Sequence, residues 1–173
     1  LTQHQKYSGV SMEIYDEETK QRYIPHVLEP TVSVDRTILA LLCSAYDEDS
    51  IGGELRTVLR FKPSMAPIKA CVSPLLKNRP ELSEKAREVY KLLKSEFGNV
   101  MYDDNGNVGK RYRRQDEIGT PWCIVVDFDT TGTGDNTDPS LLDTVTIRDR
   151  DTGEQQRIAI SELVGYIQTR INS

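Results

Sequence analysis

The 173-residue sequence contains few residues of the kinds that build disulfide frameworks or metal sites. It has three cysteines, Cys43, Cys71 and Cys123, and two histidines, His4 and His26. No cysteine pairs with a histidine at metal-ligand spacing, so we expect no protein metal site. The cysteines are surrounded by apolar residues, which favours buried free thiols in a reducing cytoplasm. No apolar run approaches the roughly 20 residues of a membrane-spanning helix, so no membrane partner is expected.

Several catalytic motifs are also absent. There is no GxxxxGKS/T or GxGxxG phosphate loop, no GxSxG nucleophile turn and no HExxH metal helix. These absences exclude the corresponding nucleotide-binding, hydrolase and metalloprotease centres. No other part of the sequence resembles a complete catalytic centre.

Charge is distributed unevenly along the chain, whose net charge is −5. Residues 60–120 contain thirteen basic and eight acidic residues, and the remainder contains nine basic and nineteen acidic ones. A basic middle segment within an acidic chain indicates a localised anion-binding face. Solvated helix faces would produce the same count, and that alternative stays open.

Apolar periodicity predicts two dissimilar regions. Residues 8–28 are expected to form two strands around a turn at 16–20, followed by a helix capped by Asp35. Residues 47–53 are expected to form an exposed loop or linker.

From residue 66 onwards, strands alternate with helices. Strands are expected at 68–74, 100–103, 121–129, 144–151 and 156–160, and helices at 108–117, after Ser83 as far as Gly98, and after Ser161. Residues 130–142 are expected to be a loop. The fold class is therefore α/β, with a three-layer domain over 66–173 whose mixed, mostly central-parallel sheet is covered by helices.

Two clusters of basic residues are candidates for RNA binding. The run Lys110, Arg111, Tyr112, Arg113, Arg114 combines planar guanidinium groups suited to phosphate with an aromatic ring suited to a base. A solvated helix turn is the alternative.

The second cluster contains Arg148 and Arg150, which project from one face of a predicted strand. They could contact bases or phosphates, or they could form cross-strand salt bridges.

Several runs together resemble the class II glycyl-tRNA synthetases. Residues 25–31 (PHVLEPT), continuing to Asp35 and Arg36, resemble the third signature motif of that family. Residues 109–121 (GKRYRRQDEIGTP), 125–130 (VVDFDT) and 145–151 (VTIRDRD) resemble its anticodon-binding domain. The resemblance implies that residues 1–62 are the C-terminal end of a catalytic domain, containing a fragment of its antiparallel sheet. It implies that residues 66–173 are the anticodon-binding domain.

The resemblance also implies roles for individual residues. Arg36 matches the catalytic arginine that binds ATP phosphate, and Glu29 matches the carboxylate that recognises the glycine amino group beside ATP. Thr31 stands where the family usually has serine, and Ser33 where it usually has glycine. Contacts with the anticodon loop are expected from Lys110, Phe128 and Arg150 by the resemblance, and from Arg111, Arg114 and Arg148 by their chemistry.

The implied function is that of a glycine–tRNA ligase, which joins glycine to tRNA-Gly through glycyl-adenylate with ATP and Mg²⁺. The resemblance further implies a cytoplasmic homodimer at full length. This chain lacks the other two class II motifs, so we expect it to bind no cofactor tightly and to be inactive alone. The alternative is a non-catalytic synthetase-like module that binds tRNA or another nucleic acid, such as a polymerase accessory protein.

Overall fold

The structure is a computed structural model that describes residues 1–134 and 137–172. It divides into two compact units, Leu1–Thr37 and Ile38–Ser173. The predicted division into residues 1–62 and 66–173 stays a prediction. Among the described residues, no helix is long and apolar enough to span a membrane.

The first unit contains a short helix and a strand pair. Helix α1 (Thr2–Ser8) precedes β1 (Ile14–Asp16) and β2 (Gln21–Tyr23), which pair antiparallel. The Asp16 carboxylate accepts a hydrogen bond of 2.8 Å from the Thr19 hydroxyl and so stabilises the turn between them. The predicted strand pair around this turn is confirmed, with strands of only three residues each.

The remaining elements belong wholly or mainly to the second unit. In chain order they are α2 (Val34–Ala45), β3 (Tyr46–Ile51), β4 (Glu54–Leu59), β5 (Ala70–Pro74), α3 (Pro80–Phe97), β6 (Val100–Tyr102), α4 (Val108–Ile118), β7 (Trp122–Val126), α5 (Phe128–Thr131), β8 (Thr144–Asp149), β9 (Gln155–Ala159) and α6 (Leu163–Ile171).

Five of these strands form one mixed sheet in the order β6-β5-β7-β8-β9. The pairs β5–β6 and β5–β7 are parallel, and the pairs β7–β8 and β8–β9 are antiparallel. Every residue of β5 and β7 is buried, because helices or loops cover both faces of the sheet centre. The predicted α/β fold with a mixed, helix-covered sheet is confirmed.

The main hydrophobic core lies on the sheet face covered by α3 and α6. The inward stripe of α3 and the α6 residues Leu163 and Ile167 pack against Val72, Ile124 and Ile147, all of which are at most 1% exposed. On α3 the stripe repeats every three or four residues, which is the pattern that predicted this helix. It consists of Leu82, Ala86, Val89 and Leu93.

Residues 47–53, predicted to be a linker or loop, instead contain most of β3 and its turn. Strands β3 and β4 pair over six residues around Gly52 and Gly53, which both have positive φ angles. The prediction was wrong because the acidic residues Asp47 and Asp49 bind Arg60 and Arg56 instead of facing water alone. This β3–β4 hairpin packs against α4.

Helix and strand ends account for the other differences. Strand β7 ends at Val126, so Phe128 begins α5 instead of ending a strand. The Asp127 carboxylate accepts the Thr130 backbone N–H at 3.1 Å, and this cap starts the short helix. Helix α3 starts at Pro80, so Ser83 is not its cap, although Gly98 follows its last residue as predicted.

The last helix and the predicted loop also differ from expectation. Ser161 lies in a 3-10 turn that precedes α6, and it makes no cap bond. The predicted loop at 130–142 contains another 3-10 turn, Pro139–Leu141. Residues 135 and 136 of that loop lie outside the described residues.

Candidate nucleic-acid interface

The parallel strands β5, β6 and β7 all end at the same edge of the sheet. Ligands of α/β proteins commonly bind at this carboxyl edge, where the loops that follow the strands converge. Helix α4 starts from one of these loops, and Asn107 caps it by accepting the Lys110 backbone N–H at 2.9 Å. The cap fixes where the basic run of α4 begins.

The four cations of this run have different surroundings. Lys110 is exposed, and its ammonium group has no ion-pair partner within residues 1–134 and 137–172. Arg114 remains 42% exposed while it binds the Asp103 carboxylate at 2.7 Å. Arg113 donates to the Leu55 carbonyl at 2.9 Å and so contacts the β3–β4 hairpin.

Arg111 is only 3% exposed and faces the interior of the domain. Its guanidinium donates to the backbone carbonyls of Pro74, Asp104 and Gly106. These bonds connect α4 to the end of β5 and to the loop that follows β6. The structure thus places Arg111 beneath the carboxyl edge and Lys110 on its surface.

Tyr112 is not an exposed stacking platform. The Arg148 guanidinium lies 4.8 Å from the centroid of its ring. Burial raises the pKa of the Tyr112 hydroxyl to about 12. Since an arginine occupies the ring face, the idea that Tyr112 receives an RNA base is not supported.

Arg148 and Arg150 are buried, with 5% and 2% exposure. Arg148 binds the Asp116 carboxylate at 2.8 and 3.1 Å, and Arg150 donates to the carbonyls of Gly119 and Phe61, both at 2.8 Å. Arg150 also binds the Asp151 carboxylate at 2.8 Å. Both arginines therefore form salt bridges, but with a residue of α4 and with the next residue of the chain instead of with a neighbouring strand.

Phe128 lies at the carboxyl edge, immediately after β7. Its ring is half-buried and packs partly against the core. The Arg79 guanidinium lies 6.0 Å from the ring centroid. Sequence patterns did not single out Arg79, because it is an isolated cation before a helix.

The three residues predicted for the catalytic part lie in the first unit and are all exposed. Arg36 lies in the first turn of α2, as predicted, although that helix begins at Val34 instead of after Asp35. Glu29 and Thr31 lie in the irregular segment before it. Within the described residues, Glu29, Thr31 and Arg36 form no hydrogen bonds with one another.

A cleft of about 510 Å³ lies away from the carboxyl edge, at the turn between β8 and β9. Among the described residues, its lining includes Tyr166 and the carboxylates of Asp149 and Glu154, which outnumber the one lining cation, Arg170. Carboxylates repel phosphate, so this cleft does not suit RNA.

Comparisons with known proteins agree with the fold. Residues 69–170 match the family described as "Anticodon binding domain". The chain is 52% identical to a glycine–tRNA ligase of Clostridium kluyveri over 172 residues, which is 99% of this chain and 34% of that protein. It is 50% identical to the glycine–tRNA ligase of Lachnospira eligens over 171 residues, 98% of the chain and 34% of that protein.

The glycine–tRNA ligase of Deinococcus radiodurans is 50% identical over 156 residues, 89% of this chain and 31% of that protein. The chain thus spans about a third of the length of the curated relatives it matches. Since the family match covers more than half of the sequence and coincides with the five-stranded sheet, the chain belongs to the anticodon-binding domain family.

Proposed function

We propose that the chain is the C-terminal part of a glycine–tRNA ligase and that it binds the anticodon loop of tRNA-Gly. One observation carries the proposal. At the carboxyl edge of the sheet, the exposed Lys110 lies in the first turn of α4, and the half-buried ring of Phe128 directly follows β7. A cation for phosphate and an aromatic ring for a base at the same edge of a sheet are typical of proteins that bind single-stranded RNA loops.

In this proposal, three of the six predicted RNA-binding residues contact the RNA, and the other three hold the surrounding structure in place. Lys110 and Arg114 contact phosphates, and Phe128 stacks on an unpaired base. The buried Arg111, Arg148 and Arg150 hold α4 and the end of β8 in place through the bonds described above. They act through the backbone and through Asp116, without touching RNA.

The proposal extends to the catalytic part of the full-length enzyme. Residues 1–62 are the end of the catalytic domain, where Glu29 and Thr31 contact glycine and Arg36 contacts ATP phosphate. Their exposure in this chain is consistent with ligands and further protein surface being supplied by the full-length protein. Mg²⁺ with ATP, homodimer formation and cytoplasmic location likewise belong to the proposal for the whole enzyme.

Titration of the chain with the anticodon stem-loop of tRNA-Gly tests the RNA-binding part. We expect the cognate stem-loop to bind more tightly than one with an altered anticodon. In Lys110→Gln, the slope of log K against log salt should become shallower by about 0.7, because one phosphate contact is lost. Lys91→Gln is the matched control, since Lys91 is exposed on α3 and should not affect binding. Equal binding of both stem-loops would refute anticodon recognition.

The full-length protein separates the enzyme from the accessory-module alternative. A ligase shows glycine-dependent exchange of pyrophosphate into ATP, and Arg36→Ala abolishes it. A full-length protein that binds tRNA and shows no such exchange would be the accessory module.

A further inference from the structure

The ring of Phe128 is held in a defined position. It belongs to the first residue of α5, whose cap Asp127 is bound by Arg157 through contacts of 2.6 to 3.3 Å. A Cβ atom placed on Gly134 would lie 3.0 Å from the Phe128 Cβ and 3.6 Å from its Cγ, so the backbone after α5 closes one flank of the side chain. The hydrophobic core packs against another side of the Phe128 ring.

Arg79 lies over the ring of Phe128. Its guanidinium carbon is 6.0 Å from the ring centroid, and the residue is exposed. Its backbone carbonyl accepts the Ser83 N–H at 3.1 Å, but its guanidinium forms no hydrogen bond or ion pair with any group in the described part of the chain. Arg148 also lies over a ring, that of Tyr112, but two bonds to Asp116 hold its guanidinium in place. The Arg79 guanidinium is therefore free to move away from the ring, whereas that of Arg148 is fixed.

The carboxylates next to Phe128 and Arg79 in the sequence form no salt bridge with Arg79 in the described part of the chain. Asp127 and Asp129 both bind Arg157, at 2.6 and 3.4 Å. Glu81 lies in the first turn of α3 and forms no salt bridge within the described residues. The cation over Phe128 is thus available to an external group with a negative charge or a π face.

The spacing suits a flat ligand. Stacked groups lie about 3.5 Å apart, so a ring held between two others needs about 7 Å from outer plane to outer plane. The Arg79 guanidinium carbon is now 6.0 Å from the centroid of the Phe128 ring. An outward movement of the exposed Arg79 side chain by about 1 Å would widen this distance to the roughly 7 Å that a stacked base needs. An unpaired nucleobase fits because its two faces can stack on an aromatic ring and on a guanidinium plane.

We propose that Arg79 and Phe128 form a nucleobase slot, in which one unpaired base of the bound RNA loop lies between the guanidinium and the ring. This inference rests on the proposed RNA-binding function and adds Arg79 as a residue that contacts RNA. The guanidinium supplies a planar stacking surface, and its charge approaches the phosphates of the same loop. A lysine at this position would keep the positive charge but lack the planar group. Arg79→Lys therefore separates the contribution of stacking from that of charge.

The experiment uses the tRNA-Gly anticodon stem-loop with 2-aminopurine at each loop position in turn. Stacking quenches the fluorescence of this base, so the wild-type chain should quench one position strongly. In Arg79→Lys, that quenching should fall and affinity should drop about tenfold, the size expected for one stacked base. The slope of log K against log salt should stay as in the wild type, because the charge is kept.

Two further variants make the result specific. Phe128→Leu keeps an apolar side chain and should cause the same loss, and the double variant with Arg79→Lys should lose little more than either single variant. Arg87→Lys is the matched control, because Arg87 is exposed on α3, the helix that follows Arg79, and also lies over a ring, that of Tyr102 at 4.5 Å. It should bind RNA like the wild type. Circular dichroism checks that every variant is folded.

Normal binding and quenching by Arg79→Lys, with binding impaired in Phe128→Leu, would overturn the slot and leave the RNA-binding function intact. Equal losses in Arg79→Lys and Arg87→Lys would also overturn it, since the effect would then follow from replacing any exposed arginine on or next to α3. Absence of RNA binding by the wild-type chain would refute the proposed function itself.

Discussion

Arg56 on β4 and Asp116 on α4 form a salt bridge of 2.9 Å in which both side chains are only 1% exposed. Arg148 binds the same carboxylate at 2.8 Å, so two guanidinium groups share one buried anion. Arg56 also donates to the Arg150 carbonyl at 2.8 Å and binds Asp49 at 2.5 Å. This network joins the β3–β4 hairpin to the anticodon-binding domain.

Removal of the Asp116 carboxylate should therefore destabilise the folded protein. We expect Asp116→Ala to lower the free energy of unfolding by about 3–5 kcal/mol, because it leaves the buried Arg148 without its carboxylate and removes one of the two carboxylates that bind Arg56. Urea denaturation followed by circular dichroism measures the change. Glu117→Gln is the matched control, since this neighbouring residue is exposed and should change stability by less than about 0.5 kcal/mol. A loss below 1 kcal/mol in Asp116→Ala would show that the network contributes little.

Gly119 should tolerate alanine poorly because the hairpin region packs against it. A Cβ atom there would lie 2.5 Å from Phe61 Cδ2 and 2.8 Å from the Leu59 carbonyl oxygen, and its φ of +79° strains any other residue. We expect Gly119→Ala to cost about 2–4 kcal/mol, the sum of backbone strain and overpacking.

Gly132→Ala is the control for that measurement. Gly132 also follows a helix in the left-handed conformation, with φ +67°, and its nearest contact would be the flexible Leu142 side chain at 3.3 Å. It should cost about 1–2 kcal/mol, from backbone strain alone. Equal losses in both variants would mean that the Phe61 contact relaxes without cost.

The hairpin should also make stability depend on pH in the acid range. The hydrogen bond from Arg56 lowers the pKa of Asp49 below its usual value. An aspartate with a lowered folded pKa stabilises the protein fully above its unfolded pKa of about 3.9. That contribution is lost as the pH falls through the folded pKa. We expect urea midpoints that decline below about pH 4, and a flatter decline in Asp49→Asn. Parallel profiles for the two proteins would contradict the role of Asp49.

The thiols should differ in reactivity. Burial raises the pKa of Cys71 to about 12 and that of Cys123 well above its ordinary value, whereas Cys43 is exposed. A thiol reagent at pH 8 should therefore modify one thiol per folded chain quickly and the other two only after unfolding. Loss of the fast reaction in Cys43→Ser would identify the site. Rapid reaction of all three thiols would indicate that the sheet opens readily.

Local patterns predicted much of the fold, because they depend on neighbours in sequence. The apolar stripe of α3, its terminal Gly98 and the buried strand β7 follow from periodicity and cap chemistry. Cys43 was expected to be buried and is exposed, since apolar neighbours on a helix do not reveal which face is covered.

Long-range pairing could not be predicted in this way. The acidic residues of β3 indicated a solvated loop because Arg56, which binds Asp49, is itself held by Asp116, 60 residues further along the chain. In the sequence, Arg148 and Arg150 cannot be distinguished from exposed arginines. Only the tertiary structure shows that they are buried. The sequence gave no reason to select Arg79, since its proposed role depends on its contact with the distant ring of Phe128.

The spacing of the hairpin contacts has a consequence for synthesis on the ribosome. Chains grow from the N-terminus, so Arg56 emerges well before Asp116, which lies 60 residues later, and the Arg150 carbonyl, which lies 94 residues later. Until then the hairpin is complete but lacks its docking surface, and its charged inner side remains in water. Asp49 has its partner Arg56 within the hairpin, and Asp47 has Arg60 directly after it, so these charges can pair before the rest of the domain is synthesised.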